Sequence, residues 1–72
     1  MKKINKIKIK VNGKFCTISA NLSLLNCIKK LKIPIKKVAI ELNYEIMDKN
    51  KLGNIKLKNN DKIEIVHFIG GG

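Results

Sequence analysis

The sequence of 72 residues contains no arginine and no tryptophan. It has one proline, one histidine, two cysteines and five acidic residues. Each shortage excludes something. Readers of phosphates and base edges favour the flat arginine fork, which a lysine point charge does not imitate. Sixteen lysines with no arginine therefore describe a solvated basic face rather than a nucleic-acid reader, and no stacking platform accompanies them among three aromatic residues. Two cysteines, Cys16 and Cys27, are not spaced as CxxC, and one histidine leaves too few ligands for a structural zinc site. No apolar run approaches the length that crosses a bilayer, and Met1 to Lys10 alternates lysine with isoleucine, which is not a signal peptide. The expectation is one soluble domain spanning residues 1–72 in the cytoplasm or a plastid stroma, with no membrane and no nucleic-acid partner. The net charge of +11 should steer it towards acidic partners in a salt-sensitive way. A core this shallow leaves no room for a deep catalytic cleft, so the chain is not expected to be an enzyme.

What the sequence does have is strand pattern. Ile7, Ile9 and Val11 alternate with Lys6, Lys8 and Lys10, and Asn12-Gly13 follows, a pair suited to the positive φ angles of a type I′ hairpin turn. Lys14 to Ser19 returns, with Cys16 and Ile18 on one face and Phe15 on the other. Asn21 or Ser23 can cap a helix whose apolar stripe is Leu24, Leu25, Ile28 and Leu31, bordered by Cys27. Lys29, Lys30 and Lys32 suit its last turn, and Pro34 stops it by Ile33. Val38, Ile40 and Leu42 make a third strand, Asn43-Tyr44 a tight turn, and Glu45-Ile46-Met47 a short fourth strand. Asp48 to Leu57 reads as an irregular loop fixed to the core by Leu52, Ile55 and Leu57. Asn59-Asn60-Asp61 turns into a last strand from Lys62 to about Phe68. Neither hairpin nor helix can bury its apolar face alone. The economical α+β packing lays the helix across a mixed sheet with the last strand beside the first, which is the ubiquitin-like β-grasp.

That last strand carries the most informative feature. Ile63-Glu64-Ile65-Val66-His67-Phe68-Ile69 runs directly into Gly70-Gly71-Gly72. Glycine has no Cβ, so an arm of three can thread a slot that excludes side chains and reach about 10 Å at ~3.3 Å per residue. Residues 69–72 are read as a flexible tail. Val66 and Phe68 alternate with Ile65 and His67, so they face away from the helix and form a candidate docking patch. His67, a lone histidine without a nucleophile to serve, is read as packing or surface. Both cysteines are read as structural.

The stretches Val38 to Ile46 and Asn60 to Gly72 resemble the ThiS family, the sulfur carriers of thiamine biosynthesis. The Asn-Gly hairpin, capped helix and length also fit, while Met47-Asp48-Lys49 departs from the Val-Pro-Arg-like stretch the family often carries. The resemblance implies a carrier mechanism. A ThiF-type adenylyltransferase would use ATP and Mg to adenylate the Gly72 carboxylate, with Gly70 and Gly71 as the threading arm. A sulfur donor such as a cysteine desulfurase would convert it to a thiocarboxylate, and a ThiG-type thiazole synthase would take the sulfur. On this reading the chain itself binds no cofactor. The alternatives are a molybdopterin synthase small subunit, a ubiquitin-like conjugate attached through Gly72, or a small basic nucleic-acid-binding domain.

Overall fold

The computed structural model describes residues 5–68. Ile69 and the three terminal glycines lie outside that range, as does the start of the basic N-terminus. Strand β1, Lys6–Val11, and strand β2, Lys14–Ser19, form the expected hairpin. Its turn has φ 49° at Asn12 and 83° at Gly13, the positive pair that a type I′ turn needs. Helix α1, Leu24–Lys30, follows, then strand β3, Val38–Leu42, and strand β4, Glu45–Ile46. Strand β5 is Lys62–His67. The sheet order is β2-β1-β5-β3-β4. β5 lies parallel to β1 and antiparallel to β3, so the last strand occupies the centre of the sheet, as the β-grasp reading requires.

The core is a single apolar cluster between sheet and helix. Ile9, Val38, Ile40, Ile63 and Ile65 come from the strands, and Leu24, Cys27 and Ile28 come from α1. Full burial of an aliphatic side chain is worth about 1.5–3 kcal/mol, which is what holds a short helix on a small sheet. Leu52 and Leu57 complete the cluster, and Ile55 packs against it, so the polar segment is fixed to the core by the three residues expected.

Three local expectations are corrected. Asp48 to Leu57 is not irregular throughout: Lys49–Asn54 is a 3₁₀ helix, and the Asp48 carboxylate caps it by accepting the Asn50 N–H at 2.9 Å. An Asx cap followed by small and polar residues makes such a tight turn stable without an α-helical pattern. Helix α1 is shorter than the apolar stripe suggests. Ser23 caps its start by accepting the Asn26 N–H at 3.1 Å. Its end is a Schellman motif, in which Ile33 N–H donates to the Ile28 carbonyl and Lys32 N–H to the Lys29 carbonyl. Lys32 takes the left-handed position usually given to glycine, at φ 59°, and so lies beyond the last turn with Lys29 and Lys30 inside it. Leu31 is therefore the C-cap rather than a core residue, and 41% of it is exposed. The last correction is at a strand end: β4 stops at Ile46, before Met47, whereas β5 ends at His67, about where expected.

Candidate functional site

The candidate site is the C-terminal end of β5, and it is built from the turns that flank it. Where β1 turns away after Val11, the Asn12 side chain continues the ladder. Its Oδ1 accepts the Ile65 N–H at 2.7 Å and its Nδ2 donates to the Ile65 carbonyl at 3.2 Å. The Asn12 N–H donates to the Ile63 carbonyl at 2.9 Å. On the other flank the Asn43–Tyr44 turn, with φ 52° and 73°, does the same near the start of β5. Asn43 Oδ1 accepts the Lys62 N–H at 2.9 Å, and its main-chain N–H donates to the Lys62 carbonyl at 2.8 Å.

Asp61 ties the two sides together. It is buried, with its carboxylate accepting the Lys58 N–H at 2.7 Å and Asn43 Nδ2 at 3.0 Å. Its carbonyl accepts the Lys10 N–H at 2.9 Å. Asp61 thus serves the turn, as its position suggests, and also joins β1 to the β3–β4 turn. Beyond the strand, the Phe68 N–H donates to the Lys37 carbonyl at 2.9 Å, so β5 is held past its last ladder residue. β5 is thus fixed on both flanks, by Asn43 at Lys62 and by Asn12 at Ile63 and Ile65.

Val66 and Phe68 are 55% and 54% exposed, on the sheet face opposite the helix that the alternation predicts. Ala39 is the cross-strand partner of Val66. Ile46, exposed on the same face, stands opposite Glu41, which in turn stands opposite Glu64. Lys49, from the 3₁₀ helix, places its Nζ 5.1 Å from the centre of the Phe68 ring, a cation–π contact. The open face at the tail exit is thus apolar at Val66, Phe68 and Ile46, with a carboxylate pair between.

His67 is exposed at the strand end, opposite Val38 in the register. Cys27 is buried, and burial, followed by the neighbouring Cys16 thiol, pushes its own thiol up against the opposing pull of Lys30. A protonated, enclosed thiol is a poor nucleophile, in keeping with a packing role. Cys16 is half-buried on β2. Lys62 reaches the Tyr44 hydroxyl at 2.7 Å, and that hydrogen bond, with the charge on Glu64, pushes its ammonium up. No group of three metal-ligating side chains occurs among the described residues. No helix among them is long and apolar enough to cross a membrane. The bonds of Asn12 and Asn43 to β5, and those of Asp61 to β1 and the β3–β4 turn, were not visible in the sequence beyond the turn chemistry of the same residues.

The ThiS family model matches residues 9–72. This chain belongs to the ThiS family. A crystal structure of the thiamine biosynthesis protein ThiS from Geobacter metallireducens is similar at a TM-score of 0.81 and 29% identity, covering 92% of this chain and all of that one. The sulfur carrier protein ThiS of Bacillus subtilis is 49% identical over 37 residues, which are 51% of this chain and 56% of the relative. The thiazole synthase of Paramagnetospirillum magneticum is 36% identical over 66 residues, 92% of this chain. The match occupies 20% of that protein, so the chain spans about a fifth of the thiazole synthase it resembles.

Proposed function

We propose that the chain carries sulfur on the carboxylate of Gly72, with Gly70 and Gly71 as the arm that threads it into partner active sites. The observation that supports this most is the fixing of β5. Asn12 and Asn43 hold the central strand from both flanks, and the sequence then runs through Ile69 into three glycines. A ThiF-type adenylyltransferase joins the carboxylate to AMP from ATP and releases pyrophosphate. That step turns a poor electrophile into an activated acyl group, because AMP leaves where oxide does not. The terminal sulfur of a persulfide donor, such as that of a cysteine desulfurase, displaces AMP to give an acyl disulfide, and a second thiol breaks the S–S bond by forming a disulfide with the donor cysteine, which leaves the thiocarboxylate. A thiazole synthase then takes the sulfur, a pairing supported by the ThiS-like stretch within a protein of that name. Val66 and Phe68 dock these partners, since exposed apolar residues beside the tail gain most from burial at an interface. ATP and Mg are held by the adenylating partner, and this chain is the protein substrate.

The test is pyrophosphate release from ATP by the adenylating enzyme in the presence of this chain. Removing Gly71 and Gly72 should abolish the release without changing the melting temperature. Undiminished release from the shortened chain would contradict the assignment of Gly72.

A further inference from the structure

β2 is an edge of the sheet, and beside it lies a groove unrelated to the tail. The groove, about 310 Å³, runs between β2 and α1. Its apolar wall is Cys16, Ile18, Leu22, Cys27 and Leu31, and Lys6 and Lys30 stand among its lining. Leu31 is the residue that the early end of α1 leaves partly exposed here. The strand edge beside this groove is open. In the two-residue hairpin, Val11 and Lys14 close the turn as a hydrogen-bonded pair, and antiparallel alternation then turns the main-chain groups of Phe15 and Thr17 away from β1. The Ala20 N–H, bonded to the Asn5 carbonyl at 3.0 Å, has the same parity as Lys14 and confirms the phase. A line of donors and acceptors without partners among the described residues thus borders an apolar groove with Lys6 and Lys30 in its lining.

We propose that this edge and groove form a docking site for an extended peptide of a partner protein, which adds to the sheet beside β2. Main-chain bonds to Phe15 and Thr17 would supply register, and alternate branched apolar side chains would enter the groove beside Cys16 and Ile18. Carboxylates flanking the apolar core of the peptide would meet Lys6 and Lys30. The charge selects this occupant over others. A second copy of this chain would bring its own lysine-bearing edge against a protein of net charge +11. A nucleic acid would leave the apolar wall without a partner. β1 and β5 run parallel, with Lys10 beside Lys62, so β5 exits past the hairpin end while the groove lies towards the opposite end, near Lys6 and Ser19. A partner docked here leaves the tail free, and the proposal stands apart from the chemistry assigned to Gly72.

The probe is a pool of short synthetic peptides, each with alternating valine, isoleucine or leucine followed by glutamates. Binding is followed by amide hydrogen exchange and NMR shifts on the full chain. Slowed exchange at the Phe15 and Thr17 amides, slower alkylation of Cys16, and shifts confined to β2 and α1 are expected. Thr17→Pro removes an edge donor, a change that edge strands tolerate. It should weaken binding at least about tenfold, as should Leu31→Glu at an already exposed position. Lys30→Glu should weaken binding and flatten its salt dependence, and Val66→Glu should leave it unchanged. All three groove variants must give the folded spectrum of the parent chain. Failure of the whole pool to bind, unchanged exchange at Phe15 and Thr17, parent-like binding by folded Thr17→Pro, or equal displacement by a DNA oligonucleotide would each overturn the proposal.

Discussion

The Asn12–Gly13 and Asn43–Tyr44 turns both place asparagine in left-handed backbone, at φ 49° and 52°, and both direct its amide onto β5. They differ in what surrounds that amide. Asn12 serves Ile65, a residue only 7% exposed, through part-buried bonds. Asn43 serves Lys62, which is accessible, and adds a bond to the Asp61 carboxylate. They differ also at the next position. Gly13 has open space around it at φ 83°, whereas Tyr44 takes φ 73° with a full side chain. The same device is used twice, and burial decides how much each use is worth.

Replacing Asn12 with alanine leaves the part-buried N–H and carbonyl of Ile65 without their partner, which should cost about 2–3 kcal/mol in denaturant unfolding. Asn43→Ala should cost less, about 1–2 kcal/mol, because water can reach the Lys62 amide it leaves behind. Equal losses would show that burial is not what separates the turns. Gly13→Ala should cost about 1 kcal/mol through its positive φ. Tyr44→Gly should change stability by less, because relief of left-handed strain is offset by the greater freedom of glycine in the unfolded chain. A large gain from Tyr44→Gly would mean that the Lys62 contacts at 2.7 Å and 5.1 Å contribute nothing to holding the ring.

The smallest effect concerns the core beneath the turns. The folded chain raises the Cys27 thiol above its ordinary value of 9.0, so folding favours the protonated form. That contribution is complete below the unfolded value and is lost as pH rises through the folded one. Unfolding stability measured from neutral to alkaline pH should therefore fall less steeply in Cys27→Ala than in the parent chain. Identical slopes would place the thiol outside the core cluster.

The strands and both turns were legible because alternation and turn chemistry are local properties, and the place of the last strand beside the first followed from the need to bury both hairpin and helix. The exposure of Val66 and Phe68 followed from the same period of two. The end of α1 was not legible, because Lys32 occupies a position that a sequence normally marks with glycine. Lys49–Asn54 was missed because a 3₁₀ helix shows no α-helical period, and its cap at Asp48 also reads as loop chemistry. The two clamps on β5 were out of reach for another reason. Asn12 and Ile65 are 53 positions apart, and only the parallel pairing of β1 with β5 brings them together. Each residue's part in its own turn was plain, while its second partner depended on the completed sheet.

The most direct test of the sulfur-carrier account is the intact mass of the full chain after incubation with ATP, the adenylating enzyme, a persulfide donor and a thiol reductant. The account predicts a gain equal to exchange of one oxygen for one sulfur, mapped to Gly72 and absent when Gly72 is deleted. An unchanged mass with partners shown to be active, or a gain that maps to Cys16 or Cys27 instead, would contradict it.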